Sequence, residues 1–343
     1  MLFSRGLIFP AGIFLIYCVF GHYSLDNMVA ITPKESKKHD KLTAEELSLL
    51  HTTAKDISHS KGGMSENEEE LKGIHHELRR SVIRKATIQS ELDNLEALLS
   101  DFQNNISDKI SLLQDMKDLV HQYDAGVSLV TMGGLELLLS HLSSSDENIV
   151  SSVLSVLGAA MQGNPHVQKA AFQKEIGLHL RNILSESPNL YSRGMIVLSG
   201  LLRNLPEAQK EFFANNGALI LANILQSHVI STDTKLKIVN LLSDLATEHE
   251  MTKQYSKNSE DQDDDKTFLY RLFRNEIKKY HICNLIPQLL DLADFDTHQK
   301  VVEAMNSLKP ICLEDFQTKE IQLSLAALLT HYDPAGVMNY PLF

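Results

Sequence analysis

Two stretches of the chain nearly repeat one another. VLGAAMQGNPHVQKAAFQKEIGLHLRNIL (156–184) aligns with VLSGLLRNLPEAQKEFFANNGALILANIL (197–225) at an offset of 41 residues. Pro165 falls on Pro206, Gln168 on Gln209, Lys169 on Lys210 and Phe172 on Phe213, and Asn182-Ile183-Leu184 fall on Asn223-Ile224-Leu225. Upstream, LVHQYDAGVSLVTMGGLELLLSHL (119–142) has the same grammar. Leu129 and Val130 end one apolar face, and Leu135, Leu138, Leu139 and Leu142 begin another. Gly133 and Gly134 stand between them, where the chain needs a residue able to turn left-handed.

The glycines Gly134, Gly177 and Gly217 lie 43 and 40 residues apart, and each opens a short leucine-rich helix. Each unit then holds a long helix, a turn set by proline, a short helix, a glycine turn and a third helix. One such unit cannot bury its own apolar face, so stacked neighbours must do so. A period near 40 residues with this content indicates an all-α, armadillo/HEAT-like right-handed superhelical solenoid of about four repeats. Hydrophobic residues make up 43% of the chain and aromatics 6%, with no tryptophan. Leucine-packed helices fit that profile better than a β-sandwich does.

The repeat domain is expected over 107–333. Ser107 reads as the N-cap of DKISLLQDMKDLV, with Asp108 beside the positive end of the helix dipole. A fourth unit begins at TDTKLKIVNLLSDLATEH, with Thr232 or Asp233 as its cap. An acidic loop over 250–266, containing KQYSKNSEDQDDDK, interrupts it. Helical periodicity returns in 268–293, 297–311 and 316–330, and the last of these caps the stack. Residues 334–343 form a tail.

Ahead of the repeats, Ile88, Leu92, Leu95, Leu99, Phe102 and Ile106 alternate steps of four and three. They make a coiled-coil-like helical extension over 68–106. It is either a dimerisation helix or a helix packed on the repeats that follow. Residues 22–67 are polar and too poor in apolar groups to order themselves, which predicts a disordered arm. MLFSRGLIFPAGIFLIYCVFG has one basic residue and an apolar run of 14 residues from Leu7 to Phe20. That is short of the roughly 20 residues a membrane span needs. A secretory signal over 1–21, cleaved after Gly21, is the preferred reading, with an uncleaved anchor as the alternative. No stable membrane insertion is expected once the signal is removed.

Cleavage would leave Cys283 and Cys312, which in an oxidising compartment either pair or remain as two buried thiols. Asn105-Ile106-Ser107 is a glycosylation sequon, consistent with the secretory reading. Lys plus Arg total 32 against 44 Asp plus Glu, a net charge of −12. Such a chain is a poor phosphate binder, so nucleic acid is not an expected partner. No nucleophile motif, phosphate loop or zinc spacing is present. HHE at 75–77 and HEMTK at 249–253 lack the second histidine of a metalloprotease helix. Asp261, Asp263 and Asp265 imitate a calcium loop, but Lys266 and Leu272 replace its glycine and its closing glutamate. We expect no enzyme activity, no cofactor and no metal.

LVHQYDAGVSLVTMGGL, VLGAAMQGNPHVQKAA, LLRNLPEAQKEFFANNGAL and VNLLSDLATE resemble the armadillo-type nucleotide exchange factors of the seventy-kilodalton heat-shock chaperones. ICNLIPQLLDL and HQKVVEAMNSLKPIC resemble the last repeat of that family, its two cysteines included. The resemblance covers roughly residues 107–313, and the signal-like start points to the endoplasmic-reticulum branch, the Sil family of co-chaperones. It implies a lumenal protein that binds BiP, grips one lobe of its ATPase domain, opens the nucleotide cleft and lets ADP leave. Members often end in a KDEL-like signal, whereas this sequence ends AGVMNYPLF.

The segments that most resemble the family set polar groups beside leucine-rich core positions. His121, Tyr123 and Asp124, with Arg203 and Asn204, are therefore the expected partner contacts. Asp124 and Asn204 have an alternative role as helix caps, and Tyr123 as a core residue. The alternative for the whole chain is a secreted or lumenal armadillo scaffold for another protein.

Overall fold

A computed structural model describes residues 91–104, 108–256, 264–291 and 295–332. The expected signal, polar arm and C-terminal tail lie outside the described residues, as do Asn105 and Ser107. Helix α1 covers 91–104 and α2 covers Lys109–Val120. Trios of helices follow. The first is α3 (Tyr123–Thr131), α4 (Gly134–Ser140) and α5 (Glu147–Met161); the second is α6 (Pro165–Gln173), α7 (Ile176–Glu186) and α8 (Tyr191–Leu202). The third is α9 (Pro206–Ala214), α10 (Gly217–Gln226) and α11 (Thr232–Ser256). The fourth is α12 (Asp264–Lys279), α13 (Ile282–Leu285) and α14 (Phe295–Phe316), and α15 (Lys319–Tyr332) ends the stack. Among the described residues there is no strand, and no single helix is long and apolar enough to cross a membrane.

The third helices carry the core. Neighbouring pairs such as Val156-Leu157, Val197-Leu198 and Leu241-Leu242 are all buried, so these helices are covered on more than one face. Accordingly α2, α5, α8, α11 and α14 pack side by side along the stack. Proline opens α6 and α9 at Pro165 and Pro206, where the missing N–H costs nothing. The stack is the expected armadillo-type solenoid of three-helix units.

Local chemistry departs from the sequence reading at several turns. The cap of α2 is Asp108, whose carboxylate accepts from the N–H groups of Ile110 and Ser111. The cap of α11 is Ser231, one residue ahead of the expected Thr232; its hydroxyl accepts from Thr234 N–H at 3.4 Å. Gly133 takes the left-handed conformation at φ 76°, but at the matching bends that role falls to Glu175 and Asn216. Gly217 answers to space: a Cβ there would stand 2.4 Å from the Phe212 ring and 2.5 Å from its carbonyl oxygen. The acidic loop expected over 250–266 is shorter, since α11 runs on to Ser256 and α12 begins at Asp264. Residues 250–256 hold no glycine or proline, and polarity alone does not end a helix.

Helix α1 packs on the first repeat. Leu95, Leu99 and Phe102 are buried in the common core, and the Phe102 ring lies 4.8 Å from that of His141. At the other end, the sulfurs of Cys283 on α13 and Cys312 on α14 lie 2.07 Å apart, and both residues are buried. This bond joins the short second helix of the last repeat to its third helix across 29 residues of chain. Replacing both cysteines by alanine should cost about 3 to 4 kcal/mol of stability on the loop-entropy relation. Non-reducing peptide mass spectrometry should recover the pair cross-linked, and two alkylatable thiols in the native protein would rule the bond out.

Candidate functional site

The turns that lead from α2, α5 and α8 into the helices that follow them sit at the ends of side-by-side helices, and hydrogen bonds from the second turn reach the first and the third, so the three make one edge of the stack. The first, between α2 and α3, carries His121, Tyr123 and Asp124. His121 ends α2, and Gln122 precedes α3 and donates to Glu91 of α1 at 3.1 Å. Tyr123 is 55% exposed, so it is not a core residue. Asp124 lies in the first turn of α3, favoured there by the helix dipole, but Gln122 holds the cap position.

The second turn, Gly163-Asn164-Pro165, ties the first in place. Asn164 is buried and donates from Nδ2 to the Tyr123 carbonyl at 2.9 Å. Gly126 makes room for that amide, since a Cβ would stand 2.7 Å from Asn164 Nδ2. Four residues on, the buried Gln168 reaches forward and donates to the carbonyls of Leu201 at 3.0 Å and Arg203 at 2.6 Å. These bonds satisfy carbonyls that a helix end leaves without partners.

The third turn holds Arg203 and Asn204. Arg203 directs Nε and Nη2 at Asp244 Oδ2 of α11, each at 2.6 Å. The pair is substantially exposed, so it contributes at most about 1 kcal/mol. Asn204 does not cap α9, whose cap position is Leu205. It stands at φ 57°, the left-handed position that Gly163 fills one repeat earlier at φ 67°. Its N–H donates to both carboxylate oxygens of Glu248, each at 3.1 Å. The buried Gln209 donates to the Leu202 carbonyl at 2.8 Å and to Glu248 Oε2 at 2.9 Å. Burial pushes the Glu248 carboxyl above the ordinary range, against the bonds from Asn204 and Gln209 that lower it.

The five residues singled out in the sequence thus share one edge without forming one cluster. They occupy two separate turns, joined through Asn164 and Gln168. Sequence reasoning missed Asp244 and Glu248, which lie 41 and 44 residues beyond their partners. The repeat offset was the signal that would have found them. Among the described residues no group of three or more His, Cys, Asp or Glu side chains could hold a metal ion.

Beside Glu248, His249 points the other way. It is 6% exposed, its ring lies 4.9 Å from Phe273 and 6.1 Å from Tyr270 of α12, and among the described residues Nε2 has no hydrogen-bond partner. Burial holds its imidazole down to about 4.

Residues 125–336 match the SIL1/FES1/HPBP1 C-terminal domain. The chain is 27% identical over 297 residues to "Nucleotide exchange factor SIL1" of Xenopus laevis, covering 82% of this chain and 64% of that protein. It is 26% identical over 273 residues to the protein of the same name from Rattus norvegicus, covering 77% and 57%. The chain therefore spans less than two thirds of the length of these relatives. Among solved structures, a designed armadillo repeat protein in complex with the peptide (KR)4 superposes with a TM-score of 0.54 at 13% identity, covering 71% of this chain and 92% of that one. Computationally designed armadillo repeat proteins for modular peptide recognition give 0.53 at 13%, covering 70% and 93%. At that identity the likeness is one of fold.

The His249 environment sets a pH dependence. A folded value near 4 lies below the ordinary 6.5, so the stability it contributes is complete above pH 6.5 and is lost as pH falls toward 4. Between pH 7 and pH 5 this group should remove about 2 kcal/mol of unfolding free energy. His249→Phe, which keeps the ring contacts, should flatten that part of the slope in urea titrations at the two pH values. An unchanged slope would show that His249 is not its source.

Proposed function

Because the chain belongs to the SIL1/FES1/HPBP1 C-terminal domain family, we propose that it is a nucleotide exchange factor for a seventy-kilodalton heat-shock chaperone. We take its partner to be BiP, in the lumen of the endoplasmic reticulum. The observation that carries this reading is the family match across 125–336, which spans the stacked repeats and the second and third of these turns and begins one residue beyond Asp124 of the first. Relatives named nucleotide exchange factor SIL1 support the same role.

The mechanism needs no covalent chemistry. A solenoid is a stiff, extended frame, since each repeat is fixed by its neighbours. Bound to one lobe of an ATPase domain, it favours whichever lobe arrangement fits its edge. If that arrangement has the nucleotide cleft open, ADP is held less tightly and leaves. Reciprocity then applies: the factor by which the solenoid weakens ADP binding is the factor by which ADP weakens the solenoid's binding. The shift cannot exceed the difference in affinity of the solenoid for the open and closed forms.

On the first turn, Tyr123 offers an exposed aromatic ring beside His121 and Asp124. On the third, Arg203 offers a guanidinium already oriented by Asp244, and Asn204 an exposed amide. Arginine and tyrosine are the residue types that most often dominate such contacts.

Release of a fluorescent ADP analogue from BiP should accelerate on adding the protein. Arg203→Ala should weaken binding by roughly 1 to 2 kcal/mol and slow that release, with the helical circular dichroism signal unchanged. Release as fast as with wild type would remove Arg203 from the contact. No acceleration by wild type would remove the exchange-factor reading and leave the scaffold reading. For the compartment, endoglycosidase should shift the mobility of the protein made in secretory cells, and Asn105→Gln should abolish the shift. An unshifted cytosolic protein would overturn the lumenal assignment.

A further inference from the structure

The Arg203-Asn204 turn is held more firmly than a connection between helices requires. Gln168 binds the Leu201 and Arg203 carbonyls from one side, and Gln209 binds the Leu202 carbonyl from another. Asp244 takes the guanidinium, and Glu248 takes the Asn204 N–H with both oxygens. One repeat earlier the same bend uses a glycine, Gly163, which adopts positive φ at no steric cost. At Asn204 the chain instead keeps a side chain at φ 57° and leaves that residue exposed. A left-handed residue with a side chain needs its surroundings to hold it. An exposed side chain held in this way has a geometry to present.

We propose that Glu248 is a positioning residue: its carboxylate locks the Asn204 backbone and so fixes how Arg203 and Asn204 meet the chaperone. The inference rests on the exchange-factor reading and deepens it by naming what orients the third turn. Glu248 lies one turn of α11 beyond Asp244, so one helix face receives both residues of the turn. The charged groups around it are Arg203 at the end of α8 and Asp244 on its own helix, and the neutral Gln209 approaches from α9. Burial makes the ionised Glu248 a cost to the fold, as its raised carboxyl value indicates.

The test uses the full-length protein with Glu248→Ala and Glu248→Gln. Glu248→Ala should raise the hydrogen-exchange rate of the Asn204 amide at least tenfold, with smaller changes at amides remote from this turn, because a charge-assisted bond is lost. It should also cut the affinity for BiP roughly tenfold. Glu248→Gln keeps one acceptor, so it should recover part of both effects. An Asn204 amide as protected in Glu248→Ala as in wild type overturns the positioning role, whatever the partner assay reads. A freed amide with unchanged BiP affinity overturns the link from this turn to the chaperone. If wild type neither binds BiP nor speeds ADP release, the exchange-factor reading fails and takes the functional half of the inference with it. The amide measurement tells that failure from the others.

Discussion

The third helices bury adjacent residues, not only one stripe, and the rest of the molecule follows from this. Val197 and Leu198 are both inaccessible on α8, as are Leu241 and Leu242 on α11. A helix with two apolar faces must be covered by neighbours on both sides, and here the covers are the third helices before and after it. The spacing between repeats is set by side-chain packing between those helices. Gly158 illustrates the closeness, since a Cβ there would stand 3.0 Å from Ile196 on the next helix. Exposed groups gain fixed positions because they ride on this stack.

Close packing creates a polar problem at each helix end, and a small set of amides solves it. Asn164, Gln168 and Gln209 are buried polar side chains in an apolar interior, and each donates to a main-chain carbonyl of a neighbouring element. Leaving such groups unpaired would cost about 1 to 3 kcal/mol each. Their bonds run between neighbouring units or close one unit on itself, so they also set register along the stack. The edge that carries Tyr123 and Arg203 is built from these same amides. Surface geometry and interior hydrogen bonding are therefore one construction.

The architecture was legible in the sequence wherever a residue type has one strong local meaning. Pro165 and Pro206 could only open helices, and a recurring glycine before leucines could only mark a bend. Finer chemistry was less legible because several residues can play the same part. Asp108 caps α2 although Ser107 is an equally good candidate, and Glu175 and Asn216 take conformations usually assigned to glycine. The acidic segment looked like a loop because it is polar, yet nothing before Ser256 breaks a helix. In the candidate site the identity of the turns could be anticipated, while exposure of Tyr123 was one of two open readings. The roles of Asp244 and Glu248 could not, because they depend on which residues one full repeat brings alongside.

Helix α1 and the cysteine pair place different kinds of closure at the two ends of the stack. At the first repeat, Leu95, Leu99 and Phe102 supply an apolar cover held by noncovalent contacts. At the last, the link between α13 and α14 is covalent. In a one-dimensional array, terminal units fray first because each lacks a neighbour. Here the first repeat has no such link and the last has one beneath its closing helix α15, which gives the solenoid a mechanical polarity. A repeat closed by a covalent link loses less of its order when its neighbours part than one closed by packing, so the two halves of the stack are not mechanically equivalent.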